Sequence, residues 1–358
     1  MITYLFIIII IIIIFLRFLY FKYTFESYTY NIQIKKLLNP IFKLSYFDPY
    51  IYRAFNPCVF EYSNVIYNTF RLATGSFFNL YKIYEYFTSC SKYYPSKICI
   101  QSINETSEII LPDIKYISEY CNITLNKIYK FTGYEDCRSI IVKEYLYLIC
   151  SVFAESAEYC QMGIIQIKVS DLNKKAIYPV NFKLLQPSFI NKCSQKNWMP
   201  FVYNSELYLV YSVNPHKILK CNLQNFTVRL EYETSNLQIN KNIRGGSNIS
   251  EYNSYKFGKV YLGITHIRRH MYYTNIFYIF EIKPPFKIIG ISNEFIIYNS
   301  RIHILKNTNH LKYFWNLQFT SGLHIDNSDI NIYYGVNNSY SMKFTIQNYD
   351  LDKLLNSV

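Results

Sequence analysis

The sequence predicts an all-β protein of the β-propeller class, and three observations lead to this fold class. A unit of two strands that starts with polar residues occurs five times along the chain. Between about residues 55 and 345 the local signals are those of short strands separated by turn residues. This stretch of sequence sustains no helical period beyond a few turns. Many short strands in a repeated unit favour a propeller over a sandwich, and predict that the polar starts face one central pocket.

The repeated unit has three clear copies and two weaker ones. The clear copies run over 56–71, 135–151 and 196–211, and the weaker ones begin at Arg244 and at Gln318. A repeat at intervals of about 50 to 80 residues is typical of propeller blades. Each copy is therefore predicted to form one blade.

The individual strands follow from runs of β-branched and aromatic residues bounded by turn residues. They are predicted at 142–152, 162–169, 207–213, 228–232, 259–265, 276–282, 286–291 and 329–334. Turn clusters such as Tyr203-Asn204-Ser205 separate them. Residues 109–120 remain ambiguous between strand and helix.

The N-terminus predicts a membrane anchor. Residues 4–21 are apolar except for Arg17, and they contain an unbroken isoleucine run at 7–14. A helix of about eighteen residues spans roughly 27 Å, close to the thickness of a hydrocarbon core. A cleaved signal peptide is the alternative, but the bulky residues at 18–23 offer no small-residue cleavage site. We therefore expect a single transmembrane helix that is retained.

The orientation of this helix stays open. The positive charges at Arg17, Lys22, Lys35 and Lys36 follow the apolar segment and favour a cytosolic domain. Five Asn-x-Ser/Thr triplets favour a lumenal one instead, and begin at Asn104, Asn122, Asn225, Asn248 and Asn337. The predicted location is a single-pass position in a secretory-pathway or viral membrane.

Four segments are predicted along the chain. They are an anchor at 1–21, a stem at 22–54, a propeller at 55–345 and a C-terminal tail at 346–358.

The composition limits the classes of partner. The net charge of +13 indicates an attraction to anions such as phosphates, nucleotides or lipid headgroups. No zinc-finger spacing or Arg-rich tract occurs in the sequence, which argues against nucleic acid as a partner.

The nine cysteines are odd in number and form no close CxxC pair, so no metal site is predicted. Disulfides remain possible in a lumen. The 39 Tyr and 27 Phe accompany many Ile, Asn and Lys, a mixture typical of AT-rich codons, and carry little functional weight.

The second copy of the unit starts with Glu135-Asp136-Cys137-Arg138, the first candidate for chemistry. A carboxylate beside a guanidinium can exchange a proton with a sugar hydroxyl while the arginine orients it. An ordinary salt bridge in a turn is the alternative. The position of the box at the polar start of the unit favours the functional interpretation.

The third copy starts with Lys196, Asn197 and Trp198 and continues to Tyr211. Lysine and asparagine can donate hydrogen bonds to hydroxyls or phosphate oxygens, and tryptophan supplies a flat apolar face. A core tryptophan beside a solvated lysine is the alternative.

The fourth copy starts with Arg244-Gly245-Gly246-Ser247. Paired glycines let backbone N–H groups approach an anion, and arginine can bind phosphate through two hydrogen bonds. His266 and Arg268 add nearby positive charge, although a structural histidine and a solvated arginine are the alternatives.

The fifth copy carries small residues at 319–323 and a Tyr334-Gly335 pair before Asn338. Small residues at a strand end suit a backbone that crowds the pocket of the closing blade, and a simple hairpin is the alternative.

Taken together and in this order, the boxes resemble the five-bladed β-propeller glycoside phosphorylases and β-mannosyltransferases that act on mannosides, and within that group the membrane-anchored or viral-type glycosyltransferases. The resemblance covers residues 56–338. It implies a five-bladed propeller and an inverting transfer at a mannosyl-type anomeric carbon. It also implies that Asp136 is the catalytic acid or base.

The other site residues follow from the same resemblance. Those expected to bind the sugars are Asn56, Arg71, Glu135, Arg138, Lys196, Asn197, Trp198, Tyr211, Tyr334 and Asn338. Those expected to bind phosphate or the diphosphate of a nucleotide sugar are Arg244, Gly245, Gly246, Ser247, His266 and Arg268.

The chain departs from the family pattern at three informative positions. Cys137 stands where the phosphorylases usually have proline, and Asn338 where they often have an aspartate. Asn56 stands where related propeller hydrolases have an aspartate. The loss of the aspartate at 338 puts phosphorylase-like specificity in doubt.

We expect a membrane-anchored glycosyltransferase that moves a hexosyl, in particular mannosyl, group from a nucleotide sugar or sugar phosphate to a glycan or glycoprotein. No cofactor is expected. The first alternative is an enzyme like the mannoside phosphorylases or hydrolases. The second is a carbohydrate-binding propeller without catalysis.

Overall fold

The computed structural model describes residues 11–13, 16, 52–74, 96–102, 108–111, 133–152, 160–174, 176–189, 195–235, 243–268, 273–297, 318–326, 329–336 and 340–358. Most of the predicted anchor and stem, and most of the ambiguous segment at 109–120, lie outside these residues. Within the described ranges no helix is long and apolar enough to cross a membrane.

The described chain is built almost entirely from strands. In chain order they are β1 (Tyr52–Tyr62), β2 (Val65–Thr74), β3 (Lys97–Ser102), β4 (Glu108–Ile110), β5 (Tyr134–Val142), β6 (Tyr145–Val152), β7 (Gln161–Lys168), β8 (Asn181–Leu185), β9 (Met199–Tyr203), β10 (Glu206–Ser212), β11 (His216–Cys221), β12 (Val228–Thr234), β13 (Ile243–Gly245), β14 (Ser250–Ser254), β15 (Gly258–Arg268), β16 (Tyr273–Glu281), β17 (Ile288–Ser292), β18 (Gln318–Asp326), β19 (Asp329–Val336), β20 (Tyr340–Gln347) and β21 (Leu355–Ser357). A helix α1 (Asn348–Leu354) precedes the last strand, and a short 3-10 turn covers Val169–Asp171.

These strands form five antiparallel sheets in the described part of the chain, which confirms the predicted five-bladed propeller. Blade 1 is β1-β2-β3-β4, blade 2 is β5-β6-β7-β8, and blade 3 has the order β12-β11-β10-β9. Blade 4 joins β13, β14, β15, β16, β17 and β21, and blade 5 is β18-β19-β20. The inner strand of every blade is therefore the first of its repeat.

Apolar clusters hold neighbouring blades together. One cluster unites Phe60 and Ile100 of blade 1 with Leu148 and Ile165 of blade 2. Similar clusters join blades 2 and 3, blades 3 and 4, and blades 4 and 5. Each fully buried aliphatic or aromatic side chain contributes roughly 1.5 to 3 kcal/mol of transfer free energy. The strands are apolar on both faces because each sheet is covered on both sides by a neighbouring sheet.

Blades 5 and 1 close the ring with hydrogen bonds near the axis. The Ser321 hydroxyl donates to the carbonyl of Pro57 at 2.8 Å, and the Ser341 hydroxyl donates to the carbonyl of Ala54 at 3.1 Å. These bonds join β1 of the first blade to β18 and β20 of the last blade.

The C-terminal residues belong to blade 4. Strand β21 pairs with β17, and the buried Asp352 of α1 accepts hydrogen bonds from the Tyr252 and Ser254 hydroxyls at 2.9 and 2.6 Å and from the Tyr255 N–H at 2.7 Å. Of the segment predicted as a tail at 346–358, residues 346 and 347 end β20 in blade 5, and the following residues form α1 and β21 beside blade 4. The first described propeller strand begins at Tyr52.

Candidate functional site

The candidate site lies next to the axis, where the inner strands of blades 1 and 2 bulge and the inner strand of blade 3 begins. The register of β1 shifts between Phe55 and Cys58, and that of β5 shifts between Glu135 and Arg138. Asn56 and Asp136 lie within these bulges with φ of 51° and 50°, and Asn197 precedes β9 with φ of 63°. Short polar side chains tolerate this left-handed backbone, and a bulge redirects a side chain out of the sheet.

A tight two-residue turn follows each of these three residues. Ser63, Lys143 and Asn204 begin these turns with φ of 51°, 56° and 50°. Each lies seven positions after the left-handed polar residue of its own blade. The same backbone pattern therefore occurs three times with different side chains.

Blades 1, 2 and 3 bring two carboxylates and two cations together here. The Asn56 amide donates to Asp136 Oδ1 at 2.6 Å, and Arg71 Nη1 lies 3.3 Å from the same oxygen. Arg71 Nη2 lies 2.6 Å from Glu135 Oε1, and Lys196 Nζ lies 3.2 Å from Glu135 Oε2. The exposed fractions of the Arg71, Glu135 and Asp136 side chains are 18%, 18% and 16%. The cluster is thus shielded but reachable from solvent.

The charges of the cluster decide the protonation of Asp136. Burial by itself would raise the pKa of this carboxyl group, but Arg71, Arg138, the Asn56 amide and Lys196 together hold the pKa below its usual value. Burial likewise opposes the charge of Arg71, and the two carboxylates raise its pKa in spite of that. Asp136 is therefore ionised in the free protein at neutral pH.

Arg138 holds the bulge at Asp136 in place by a hydrogen bond to its backbone. Its side chain is fully buried, Nη1 donates to the carbonyl of Asp136 at 2.5 Å, and Nε donates to the carbonyl of Gly246 at 2.7 Å. Its guanidinium also lies 5.0 Å from the centroid of the Phe319 ring. Arg138 thus connects the second blade to the fourth and fifth across the axis.

His266 and Arg244 lie on the fourth-blade side of the same cluster. His266 is buried between the rings of Tyr273 and Phe319, at centroid distances of 4.9 and 5.2 Å. Burial, and then the charges of Arg138 and Arg244, lower its pKa to about 3, so the imidazole is neutral. Arg244 lies opposite His266 in the β13–β15 pair and is exposed.

The remaining predicted residues differ in their surroundings. Trp198 is buried in the apolar cluster between blades 2 and 3, and Tyr334 is buried in the cluster between blades 4 and 5. Tyr211 is half-buried with its ring 5.6 Å from that of Trp198. Ser247 is buried, and its hydroxyl donates to the Asn248 carbonyl at 2.7 Å. Arg268 is exposed at the end of β15, and Asn338 lies outside the described residues.

Glycines allow the blades to approach one another here. A side chain at Gly245 would overlap the carbonyl oxygen of Asn197, and one at Gly335 would overlap the side-chain oxygen of Asn56. The sequence did not predict that Gly335 contacts Asn56. In the sequence, only the Tyr334-Gly335 pair near the end of β19 indicated a close approach at this position.

One glycosylation triplet is ruled out by its surroundings. Asn248 is buried, its amide donates to the Leu323 carbonyl at 3.0 Å, and its oxygen accepts from the Leu323 N–H at 2.8 Å. The side chain instead joins blade 4 to blade 5. The six cysteines that the described ranges contain are buried: Cys58, Cys99, Cys137, Cys150, Cys160 and Cys221.

Several buried polar atoms in this cluster lack a hydrogen-bond partner among the described residues. The donors are Arg71 Nε and Arg138 Nη2, the oxygens are Asn56 Oδ1 and Asn197 Oδ1, and His266 Nδ1 has either role. An unsatisfied buried polar group costs roughly 1 to 3 kcal/mol. These atoms therefore indicate a place for a polar ligand or ordered water.

Within the described residues, the fold and site define a five-bladed propeller with a carboxylate-bearing, cation-rich cluster near its axis. No protein-family model and no curated protein sequence matches the chain. Solved structures do match it in fold, which confirms the predicted likeness to the five-bladed propeller fold of the mannoside phosphorylases.

The matches extend over most of each chain. The β-1,2-mannobiose phosphorylase of Listeria innocua aligns with a TM-score of 0.55 at 13% identity, over 91% of this chain and 98% of the other. A glycosyl hydrolase of Bacteroides ovatus aligns with a TM-score of 0.53 at 12% identity, over 89% and 93%. A hypothetical protein of Leishmania major aligns with a TM-score of 0.52 at 11% identity, over 94% and 97%. At these identities the likeness is one of fold.

Proposed function

We propose that the protein is a carbohydrate-active enzyme for mannosides and that it cleaves them with inorganic phosphate. The observation that carries the proposal is the single ionised Asp136 at the axis, surrounded by Arg71, Arg138 and Lys196 and by buried donors without partners. A sugar offers hydroxyls to the carboxylate, and phosphate offers oxygens to the cations. Similar folds in a mannobiose phosphorylase and a glycosyl hydrolase support the choice of substrate class.

The site suits phosphate better than water as the nucleophile. Inverting hydrolysis requires a second carboxylate as a base, roughly 6.5 to 9.5 Å from the acid. The first-blade bulge instead carries Asn56, whose amide donates to Asp136 at 2.6 Å and is no base. Glu135 is already paired with Arg71 and Lys196. Phosphate carries its own nucleophilic oxygen, and cations in the pocket lower the cost of bringing it there.

The reaction conserves atoms and charge. A phosphate oxygen bonds to the anomeric carbon while the glycosidic carbon–oxygen bond breaks, and the configuration inverts. The leaving oxygen receives one proton through a sugar hydroxyl from Asp136, which is protonated only in the filled site, and the proton that the reacting hydrogen phosphate loses restores the balance. Bound phosphate competes with Asp136 for Arg71 and Lys196, so the pKa of this carboxyl group rises when the site is filled. The reverse reaction transfers a mannosyl group from mannose 1-phosphate to an acceptor.

The test uses purified full-length protein with mannobioses of several linkages, including β-1,2-mannobiose, and inorganic phosphate. We expect α-mannose 1-phosphate and free mannose in equal amounts, detected by phosphorus and proton NMR. Release of mannose alone, without phosphate incorporation, contradicts phosphorolysis and indicates hydrolysis. Binding without turnover indicates a carbohydrate-binding propeller.

A glycosyltransferase that uses a nucleotide sugar is the second candidate. The predicted N-terminal anchor favours it, because an anchor suits the modification of glycans at a membrane. GDP-mannose with a mannobiose acceptor, in the same assay, separates the two reactions. Release of GDP with a longer glycan supports the transferase. The anchor itself is tested by whether the protein stays in the membrane fraction at alkaline pH.

A further inference from the structure

We propose that an aromatic surface beside the pocket, formed by Phe189, Tyr211 and Lys217, binds a distal sugar ring of a longer mannoside. This rim platform lies between blades 2 and 3 and deepens the proposed function, on which the choice of ligand rests. It predicts that the protein prefers oligosaccharides to disaccharides.

The course of the strands places the rim platform on the pocket face of the propeller. β5 and β9 run away from the face that carries Asp136 and Asn197, so β8 and β10 return toward it. Phe189 follows the end of β8, and Tyr211 lies next to the last residue of β10. Lys217 lies at the start of β11, which leaves from the same face.

Ring contacts connect the platform to the pocket. The Phe189 ring meets the Tyr211 ring edge-on at 5.4 Å, and the Tyr211 ring meets that of Trp198 at 5.6 Å. Trp198 is two residues from Lys196, whose ammonium group lies 3.2 Å from Glu135. The platform therefore continues outward from the charged cluster along the third blade.

Phe189 is exposed and held in place. Its exposed fraction is 39%, large for a phenylalanine. Lys217 Nζ lies 5.6 Å from the ring centroid and also 3.5 Å from Glu233 Oε1. The contacts with Lys217 and Tyr211 restrict the ring before any ligand binds, which lowers the entropy cost of binding.

The chemistry of this surface fits a pyranose. The C–H bonds on one face of a pyranose form an apolar surface with partial positive charge, which matches the electron-rich face of an aromatic ring. The ammonium group of Lys217 and the carboxylate of Glu233 can bind the hydroxyls at the rim of that sugar. An aromatic residue with charged neighbours is thus better suited to a sugar ring than to a purely apolar partner.

The experiment measures affinity against chain length by isothermal titration calorimetry of full-length protein with β-1,2-linked mannobiose and mannotetraose. We expect mannotetraose to bind about tenfold more tightly than mannobiose, a gain of about 1.4 kcal/mol. Phe189→Ala should remove that gain and change mannobiose affinity by less than about twofold. Tyr255→Ala is the matched control, because Tyr255 is an aromatic residue with 78% exposure in the hairpin at the opposite face.

The outcomes separate this proposal from the proposed function. Equal affinities of wild type and Phe189→Ala for mannotetraose, or equal losses for both sugars, overturn the rim platform. Absence of binding by mannotetraose overturns it as well. Chain-length-dependent binding without formation of mannose 1-phosphate keeps the platform and contradicts phosphorolysis.

Discussion

Blades 1 to 3 and blades 4 and 5 bring their inner strands to the axis in two different ways. In the first three blades a polar residue with left-handed backbone lies in or beside the inner strand, and a tight turn follows seven positions later. In blade 4 the inner strand is interrupted between β13 and β14 by Gly246 and its neighbours. In blade 5 the register shifts between Thr320 and Gly322, and Ser321 bonds to blade 1.

The two groups of blades therefore contribute to the site in different ways. In blades 1 to 3 the left-handed backbone at Asn56, Asp136 and Asn197 directs their side chains into the pocket. Blades 4 and 5 offer small residues and backbone carbonyls, such as that of Gly246, which accepts from Arg138. Blades 1 to 3 therefore supply the carboxylates and cations that pair with one another, and blades 4 and 5 supply contacts that hold Arg138 and the first-blade bulge.

The strongest test of this division replaces the acid of the second blade. Asp136→Asn keeps the shape of the bulge and removes the transferable proton, so phosphorolysis should fall by about a thousandfold. Initial rates of mannose 1-phosphate formation measure the loss. The melting temperature is the control and should not fall. Undiminished turnover would place the acid elsewhere.

The contact between the two groups of blades should depend on pH through His216. This buried residue of β11 lies 3.0 Å from the Phe286 carbonyl in blade 4, and burial lowers its pKa to about 4 from a usual value of 6.5. The folded protein binds fewer protons there than the unfolded chain, so stability falls as pH falls from 6.5 toward 4. The loss is about 3 kcal/mol at 1.36 kcal/mol for each pKa unit.

Denaturant midpoints measured between pH 7 and pH 4 check this expectation. The His216→Gln variant should show a shallower decrease than the wild type, although the low pKa of His266 leaves part of it in place. Parallel curves for the two proteins would exclude His216 as the source.

A side chain at Gly335 should break the support that blade 5 gives to blade 1. The added methyl group of Gly335→Ala overlaps the Asn56 side chain, so the first-blade bulge must shift. We expect a loss of about 2 kcal/mol in the free energy of unfolding, typical of overpacking. Urea denaturation measures it. Gly258→Ala is the comparison, since no atom lies within 4 Å of its added methyl group although its φ of 73° favours glycine.

The smallest expected effect on stability concerns the tight turn of blade 3. Asn204 and Ser205 both have positive φ, and asparagine followed by glycine is the preferred pair for such a hairpin. Ser205→Gly should therefore stabilise blade 3 by about 0.5 kcal/mol. Thermal unfolding should show a slightly raised melting temperature with unchanged activity. A lowered one would contradict the assigned turn.

Part of this architecture was predictable from local signals. The strands β10 and β15, predicted at 207–213 and 259–265, follow from β-branched and aromatic runs between turn residues, since a strand buried on both faces needs little else. The strand predicted at 142–152 was wrong at its start, because Lys143 and Glu144 form the turn between β5 and β6. The order of the polar boxes also indicated the pocket, because every inner strand starts its repeat. The seven-residue interval between left-handed residues was not predicted, because asparagine, serine and lysine at those positions have other common uses.

Other features depended on contacts between distant parts of the chain. Trp198 and Tyr334 were predicted at the sugar site because of their neighbours in sequence, but the apolar surfaces of adjacent blades bury both. No local pattern pairs Asn56 with Asp136, eighty positions apart, or Arg138 with Gly246. Nor does one place β21 on the fourth blade.

Local sequence thus determined which segments are strands, where they turn and which polar residues start each blade. Such preferences depend on backbone conformation and on residues only a few positions apart. The tertiary structure decided which of those polar residues meet, which are covered by a neighbouring blade, and whether a carboxyl group is charged. Those outcomes depend on burial and on charges brought within a few ångströms by ring closure, and no segment of the chain contains that information alone.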